Sequence, residues 1–125
     1  MDWAAIAPGE QLSQYKVVLG RLTNLSGYDN PKMQQSLQTD FQTALNEKAA
    51  GAKGTVSVQV AIVSASADPA AIAVEVIFRD AQGRVLAKLH HRTEARSFEG
   101  AVDDMLEALT DFVVDHPVVA IKVVK

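Results

Sequence analysis

Cysteine is absent from this chain of 125 residues. The absence excludes disulfide bonds, a thiolate nucleophile and any metal site built on cysteine. Long apolar runs are missing as well, because no stretch approaches the ~20 consecutive apolar residues of a membrane-spanning helix. Basic charge is not in excess: 12 lysines and arginines stand against 15 aspartates and glutamates, and the net charge is −3. A nucleic-acid-binding surface needs a basic face, so we expect no nucleic-acid partner.

Sequence motifs of enzymes are also lacking. The chain contains no G-x-S-x-G nucleophile elbow, no P-loop and no G-x-G-x-x-G dinucleotide fingerprint. His90 and His91 are neighbours in a predicted strand, so their side chains point to opposite faces and cannot chelate one metal together. His116 lies at a predicted helix end, where a cation interacts favourably with the helix dipole. We therefore predict no catalytic residue, no metal site and no cofactor.

The segment between residues 55 and 93 predicts three consecutive strands, at residues 55–64, 71–79 and 84–93. In the first two, apolar and often β-branched residues alternate with polar or small ones, which is the pattern of a half-buried strand. A loop containing Pro69 and a turn ending at Gly83 separate the strands. The segment therefore predicts an antiparallel meander.

The third strand of the meander can present either of two faces to the core. The two sets of inward residues are Val85, Ala87 and Leu89, or Leu86, Lys88 and His90. A three-residue loop favours the second set, a two-residue loop the first. Because burying an unpaired lysine costs far more than a small change of turn, we predict the first set.

Two amphipathic helices flank the meander. In the first, Asn30 is predicted to cap the helix, Pro31 to occupy its first position and Gly51 to follow its end near residue 50. The second is capped by Ser97 and stops at His116, before a proline. The predicted core stripes are Met33, Leu37, Phe41, Ala44 and Leu45 in the first helix, and Ala101, Val102, Met105, Leu106, Leu109, Phe112 and Val113 in the second.

The remaining segments complete the predicted fold. Residues 15–23 and 118–124 predict two more strands, and apolar residues on both faces of the former favour an interior position in the sheet. Residues 1–14 predict an extended N-terminal arm, with Trp3 or Ile6 resting on the domain. The order β-α-β-β-β-α-β predicts an α+β two-layer sandwich over residues 15–125, with a five-stranded mixed sheet and both helices on one face.

The loop after the first strand is the best candidate binding site. Ligands of such sheets lie beyond the carboxyl ends of strands, near a helix N-terminus with free amides. The alternative interpretation is a loop whose polar groups serve only turns and a helix cap. The candidate residues are Asn24, Ser26, Tyr28, Asp29 and Asn30.

Four arginines along the second hairpin form a second candidate site. They are Arg79, Arg84, Arg92 and Arg96. Guanidinium groups clamp phosphates or carboxylates, so these residues predict an anion site. The alternative is that basic residues discourage pairing between sheet edges. The acidic stripe of the second helix also has two interpretations. It can supply paired carboxylates for acid–base work or cation binding, or it can be a solvated helix face.

Two segments carry a resemblance to known proteins. They read YKVVLGRLTNLSGYDNPKMQQSLQTDFQTALNEK and VEVIFRDAQGRVLAKLHHRTEARSFEGAVDDMLEAL, and together they span roughly residues 15 to 115. The first resembles the strand, loop and helix that open the amino-terminal domain of the Tol-system translocation protein, the curli-secretion lipoprotein and the lipoprotein activators of penicillin-binding proteins. Both segments also look like the corresponding segments of uncharacterised outer-membrane lipoproteins. The resemblance implies a periplasmic domain with no catalytic residues, tethered by a lipidated cysteine upstream of Met1.

The resemblance and the missing motifs favour a non-enzymatic binding or scaffold module of the bacterial cell envelope. It would act on an envelope protein or form a homodimer through an exposed edge strand. The alternative is a small-molecule-binding protein or enzyme with a pocket between sheet and helices, containing Tyr15, His90 or His91 beside a carboxylate of perturbed pKa. The expected location is the periplasm at the outer membrane. The alternative is the cytoplasm, and an upstream signal with a lipobox cysteine would decide between them.

Overall fold

The computed structural model describes residues 3–7, 11–49 and 51–115. They form an α+β two-layer sandwich with a five-stranded mixed sheet, as the sequence predicts. The strands are β1 (Trp3–Ile6), β2 (Lys16–Asn24), β3 (Thr55–Ala67), β4 (Ala70–Arg79) and β5 (Val85–Glu94). The helices are α1 (Pro31–Gln35), α2 (Phe41–Lys48) and α3 (Phe98–Asp115). A 3-10 turn (Leu12–Gln14) precedes β2, and a π-helical turn (Ser36–Asp40) joins α1 to α2.

The strands lie in the order β1-β5-β4-β3-β2. The predicted meander is confirmed, because β4 pairs antiparallel with both β3 and β5. Strand β2 lies parallel to β3, and β1 lies antiparallel to β5. The fifth strand of the sheet is thus β1, which belongs to the segment that we predicted as an extended arm. The predicted strand at residues 118–124 and the helix stop at His116 lie outside the described residues.

Strand β2 lies at the edge of the sheet, so the interior position predicted for it is wrong. The pairing with β3 contains a bulge between Leu19 and Arg21. The extra residue reverses the side-chain alternation, so Leu22 comes to face the core as Val17 and Leu19 do. Val17, Leu19 and Leu22, which strict alternation would divide between two faces, therefore lie on one face. Other elements pack against β2 on that face.

The predicted inward face of β5 is confirmed at Ala87 and Leu89, which are buried opposite Phe78 and Val76. It is wrong at Val85, which pairs with Arg79 and is 46% exposed. A bulge in the pairing of β4 with β5 explains the difference: Leu86 is the extra residue, and it is buried instead.

The first helix contains a π turn that the sequence pattern does not predict. Its buried residues, Met33, Leu37, Phe41 and Leu45, are spaced four residues apart throughout. In a regular α-helix each step of four residues overshoots one turn by ~40°, and three steps would carry the stripe off the core. The wider turn at Ser36–Asp40 takes up this surplus rotation.

The helix caps follow the predictions made for them at two of three positions. The Oδ1 atom of Asn30 accepts a hydrogen bond from the amide of Met33 at 2.9 Å, and the Oγ atom of Ser97 accepts one from Gly100 at 3.0 Å. Gly51 does not directly follow the helix, which ends at Lys48. Its role is a close approach, because a side chain there would overlap the main chain of Gln14.

Both helices pack on one face of the sheet, and their apolar stripes fill the space against it. Phe112 of α3 stacks on Phe78 of β4 with ring centroids 5.9 Å apart. The largest fully buried side chains are Phe41, Phe78, Phe112, Leu12, Met33, Leu37, Leu45, Ile62, Ile72, Leu89, Met105 and Leu109. The other face of the sheet carries polar and charged side chains between small apolar ones.

Truncation of Phe112 should test the placement of α3 on β4. We expect Phe112→Ala to lower the free energy of unfolding by about 3–5 kcal/mol, because it leaves a cavity and removes the stacking on Phe78. The control Phe112→Leu keeps most of the volume and should lose about half as much. Denaturant unfolding measures both. A loss below ~1 kcal/mol for Phe112→Ala would contradict the described core.

Candidate functional site

The loop at the carboxyl end of β2 is organised around Asn24. The amide and hydroxyl of Ser26 donate to Oδ1 of Asn24 at 3.0 and 2.6 Å. The Nδ2 atom of Asn24 donates to the carbonyl oxygen of Tyr28 at 2.9 Å, and the amide of Tyr28 donates to Oγ of Ser26 at 3.0 Å. The three predicted site residues thus form one network that closes the loop on itself.

The other predicted loop residues have separate roles. Asn30 caps α1, and the carboxylate of Asp29 is exposed without a hydrogen bond within the described part of the chain. The ring of Tyr28 meets Phe98 edge to face, with centroids 5.1 Å apart at 73°. This contact ties the loop to the start of α3. The polar groups serve turns, a cap and a fixed position, which agrees with the alternative interpretation of the loop.

Beside this loop, an open groove runs between α3 and the segment from α1 to α2. Its first part, a cleft of about 450 Å³, is lined by Asn30, Lys32, Met33, Ser36, Asp40, Phe98, Glu99, Val102 and Asp103. Its second part, of about 360 Å³, is lined by Asp40, Ala44, Lys48, Leu106, Glu107, Thr110 and Asp111. We call the two parts together the helix groove. It has an apolar floor and a charged rim, and the π turn contributes Ser36 and Asp40 to it.

Sequence reasoning missed the helix groove. Its acidic rim on α3 was visible as Asp103, Glu107 and Asp111, spaced four residues apart on one helix face. What the sequence does not reveal is that α1 and α2 lie along this same side of α3. The acidic stripe is therefore the rim of a concave surface as well as a solvated face.

An ion pair bridges the helix groove at one end. The ammonium of Lys32 on α1 donates to a carboxylate oxygen of Glu99 on α3. This hydrogen bond, together with the charge of Glu99, raises the pKa of Lys32, and the same contact lowers the pKa of Glu99. Both side chains are largely exposed, so solvent screens the pair and its effect on stability is small.

The two histidines of the described residues do not gather into one site. Within residues 3–7, 11–49 and 51–115, no group of three histidine, aspartate or glutamate side chains is placed to hold a metal ion. His90 lies on the outer face of the sheet opposite Glu75, and His91 lies opposite Val74 on the inner face. The two histidines point to opposite faces, as their adjacency in a strand requires.

The four arginines of the predicted anion site are not brought to one place. Arg79 pairs with Val85 near one end of the hairpin, whereas Arg92 pairs with Ala73, a separation of ~20 Å along β4. Arg92 forms an ion pair with Glu94. Arg84 lies with Arg79 at the turn, and Arg96 follows β5 at the opposite end. A single clamp built from all four side chains is therefore ruled out by their positions.

Arg84 instead belongs to the turn between β4 and β5. Its Nε atom donates to Oδ2 of Asp80 at 2.7 Å, and Oδ1 of Asp80 accepts from the amides of Gln82 and Arg84, both at 2.9 Å. Burial alone would raise the pKa of Asp80, but these hydrogen bonds hold it below its usual value. The ionised carboxylate of Asp80 is thus part of the turn.

Strand β2 has an edge that is protected only along its first half. The amide of Leu19 donates to Oε1 of Gln42 on α2 at 2.6 Å, and Nε2 of Gln42 donates to the carbonyl of Val17. Within the described residues, no side chain bonds the main chain of residues 20–23 in this way. Leu25, just beyond the strand, is 64% exposed. The second half of β2 and Leu25 form what we call the open edge.

Replacing Asn24 should test the loop network. We expect Asn24→Ala to lower the free energy of unfolding by about 1–2 kcal/mol, since it leaves the groups of Ser26 and Tyr28 without their partner. Asp29→Ala, in the same loop, should change it by less than ~0.5 kcal/mol. Denaturant unfolding of the two variants gives the comparison. Equal effects would show that Asn24 does not organise the loop.

Acid should remove the contribution of Asp80 to stability. Because the pKa of Asp80 is lowered in the fold, its carboxylate stabilises the protein above its unfolded pKa of about 3.9. That stabilisation is lost as the pH falls through the lower folded pKa. The difference in unfolding free energy between the parent and Asp80→Asn should therefore shrink between neutral pH and strong acid. A difference that stays constant with pH for Asp80→Asn would contradict the described turn.

Comparisons with known proteins add a likeness of fold. No protein-family model matches the chain, and no curated protein matches it. Among solved structures, the PelC dodecamer from Paraburkholderia phytofirmans matches with a TM-score of 0.58 at 11% identity, over 88% of this chain and 93% of that one. A single-residue variant of that dodecamer matches with the same TM-score and coverage at 10% identity. At such identities, the likeness shows that the chain shares the PelC fold.

Proposed function

We propose that this chain is a non-enzymatic assembly module of the bacterial cell envelope, which works through protein–protein contacts. The observation that carries the proposal is the open edge of β2. Edge strands present unpaired N–H and C=O groups, which another strand can join by main-chain hydrogen bonds. Strand β2 has nine residues, of which residues 20–24 remain open to such pairing, and β1 at the opposite edge has four.

The open edge has a polar and an apolar component. Gln42 occupies the main-chain groups of Val17 and Leu19, so an added strand would pair with residues 20–24. Leu25 extends this segment with an exposed apolar side chain, which would gain about 1.5–3 kcal/mol if a partner buried it fully. The edge thus offers both main-chain pairing and an apolar anchor.

A second copy of this chain is the partner that we propose. The fold likeness supports the choice, because both PelC structures that share the fold are dodecamers. Association of two open edges would be symmetric, with the same segment contributed by each copy. A different envelope protein that adds its own strand is the other outcome that the experiment below separates.

The proposal includes no enzymatic function because of where the open space in the described structure lies. The region between sheet and helices is filled by apolar side chains, and Tyr15 is buried among them. The helix groove is open and lies between the helices, away from His90 on the outer face of the sheet. These features do not favour the alternative of a small-molecule-binding protein or enzyme with a pocket between the layers.

The placement in the cell envelope rests on the resemblance to lipoprotein domains. No helix within the described ranges has the length and hydropathy needed to cross a bilayer. The genomic reading frame provides the test. A signal segment with a lipobox cysteine upstream of Met1 would support an anchored periplasmic domain at the outer membrane, and a reading frame without one would favour the cytoplasm.

Sedimentation velocity over a wide range of concentration should detect the assembly. We expect the mass to rise with concentration, and Leu25→Ser to weaken the association about tenfold, which corresponds to ~1.4 kcal/mol. The matched control is Val85→Ser, because Val85 is the other exposed large apolar residue of the described chain and lies away from β2. Its association should equal that of the parent.

Two results would count against this proposal. A parent protein that stays monomeric at every concentration would exclude self-association, and capture of a distinct envelope protein through Leu25 would then indicate the other partner class. Equal weakening by Leu25→Ser and Val85→Ser would show that the contact does not involve the open edge.

A further inference from the structure

The helix groove carries an excess of negative charge. Its lining includes the carboxylates of Asp40, Glu99, Asp103, Glu107 and Asp111 against the ammonium groups of Lys32 and Lys48. All of these side chains belong to exposed residues. The ion pair with Lys32 already neutralises Glu99, so the remaining carboxylates dominate the rim. Between the rims lies an apolar floor that includes Met33, Val102 and Leu106.

The outer face of the sheet carries the opposite excess. The register places five basic residues on this face, namely Lys16, Arg21, Arg79, Lys88 and Arg92, against the two carboxylates of Glu75 and Glu94. Small and apolar side chains lie between the charges, including Ala61, Ala73 and Ile77. A shallow concavity of about 240 Å³, lined in part by Arg21, Gln59 and Ile77, marks the β2 side of the face.

The two surfaces are complementary in the sign of their charge. The helix groove has three more negative than positive groups, and the outer sheet face has three more positive than negative groups. A sheet face covered by a pair of helices is also how the interior of this fold is packed. Complementary potentials of this kind steer association and fix its orientation.

We infer that the outer sheet face of one copy covers the helix groove of the next copy. This inference rests on the proposed self-association and names a second contact for it. The contact is heterologous, since two different surfaces meet, and it therefore builds a closed ring or an open row rather than a symmetric pair. Because exposed charges take part, added salt weakens it.

Charge reversal at one residue of each surface provides the experiment. Glu107→Arg damages the helix groove and leaves the sheet face intact, whereas Lys16→Glu, which lies outside the open edge, does the opposite. Neither side chain makes a hydrogen bond or an ion pair within the described residues. Asp104→Arg is the matched control, because it makes the same change of charge on an exposed residue of α3 that does not line the groove.

We expect each of the two variants to associate about tenfold more weakly than the parent in sedimentation velocity at low salt, and the control to associate normally. A mixture of the two variants should associate more strongly than either variant alone, since one variant keeps an intact sheet face and the other keeps an intact helix groove. Parent-like association of either variant, an equal loss in Asp104→Arg, or a mixture that fails to pair would overturn the inference. If Leu25→Ser alone weakens assembly, the inference fails and the proposed function stands. A monomeric parent would overturn both.

Discussion

Burial of a single face of the sheet is the constraint on which this structure depends. The inward residues of β3, β4 and β5 alternate along each strand except at the bulges, and one pair of helical segments covers them. The apolar stripe of each helix is used mainly for this contact, and only its margin, at Met33, Val102 and Leu106, reaches the floor of the helix groove. The outer face of the sheet and the sides of the helices remain in contact with solvent. Surfaces for partners must therefore be built from charges, small side chains and the edges of the sheet.

Local chemistry explains what could be predicted from the sequence. The caps at Asn30 and Ser97 depend on residues within three positions of each other, and the meander depends on alternation along short segments. Irregular features could not be predicted, because they depend on residues that are distant in the sequence. The bulge in β2 adjusts to the pairing with β3, and Gly20 within the strand was its only sequence signal. Likewise, the close approach of Gly51 depends on Gln14, far away in the sequence.

The candidate site shows the same difference between local contacts and contacts of residues distant in the sequence. The network around Asn24 spans only a few residues, and the predicted loop residues contain all of its members. The helix groove joins residues that are far apart in the chain, as the pair of Lys32 with Glu99 illustrates. The role of Gln42 could not be predicted either, because a polar residue outside the core stripe of the first helix gives no sign that a strand edge lies beside it. Contacts between different helices and strands thus define the helix groove and the strand edge. Contacts within a short segment define the loop around Asn24.

The π turn in the first helix has a consequence for chain length. Its four buried residues follow one another at intervals of four, four and four, one residue more than a regular helix accommodates over this distance. Removing one of the exposed residues Gln38, Thr39 or Asp40 would change the intervals to four, three and four. A regular α-helix holds that pattern on one face. This stretch of the chain is therefore a place where evolution can insert or delete a single amino acid while Met33, Leu37, Phe41 and Leu45 keep their contacts.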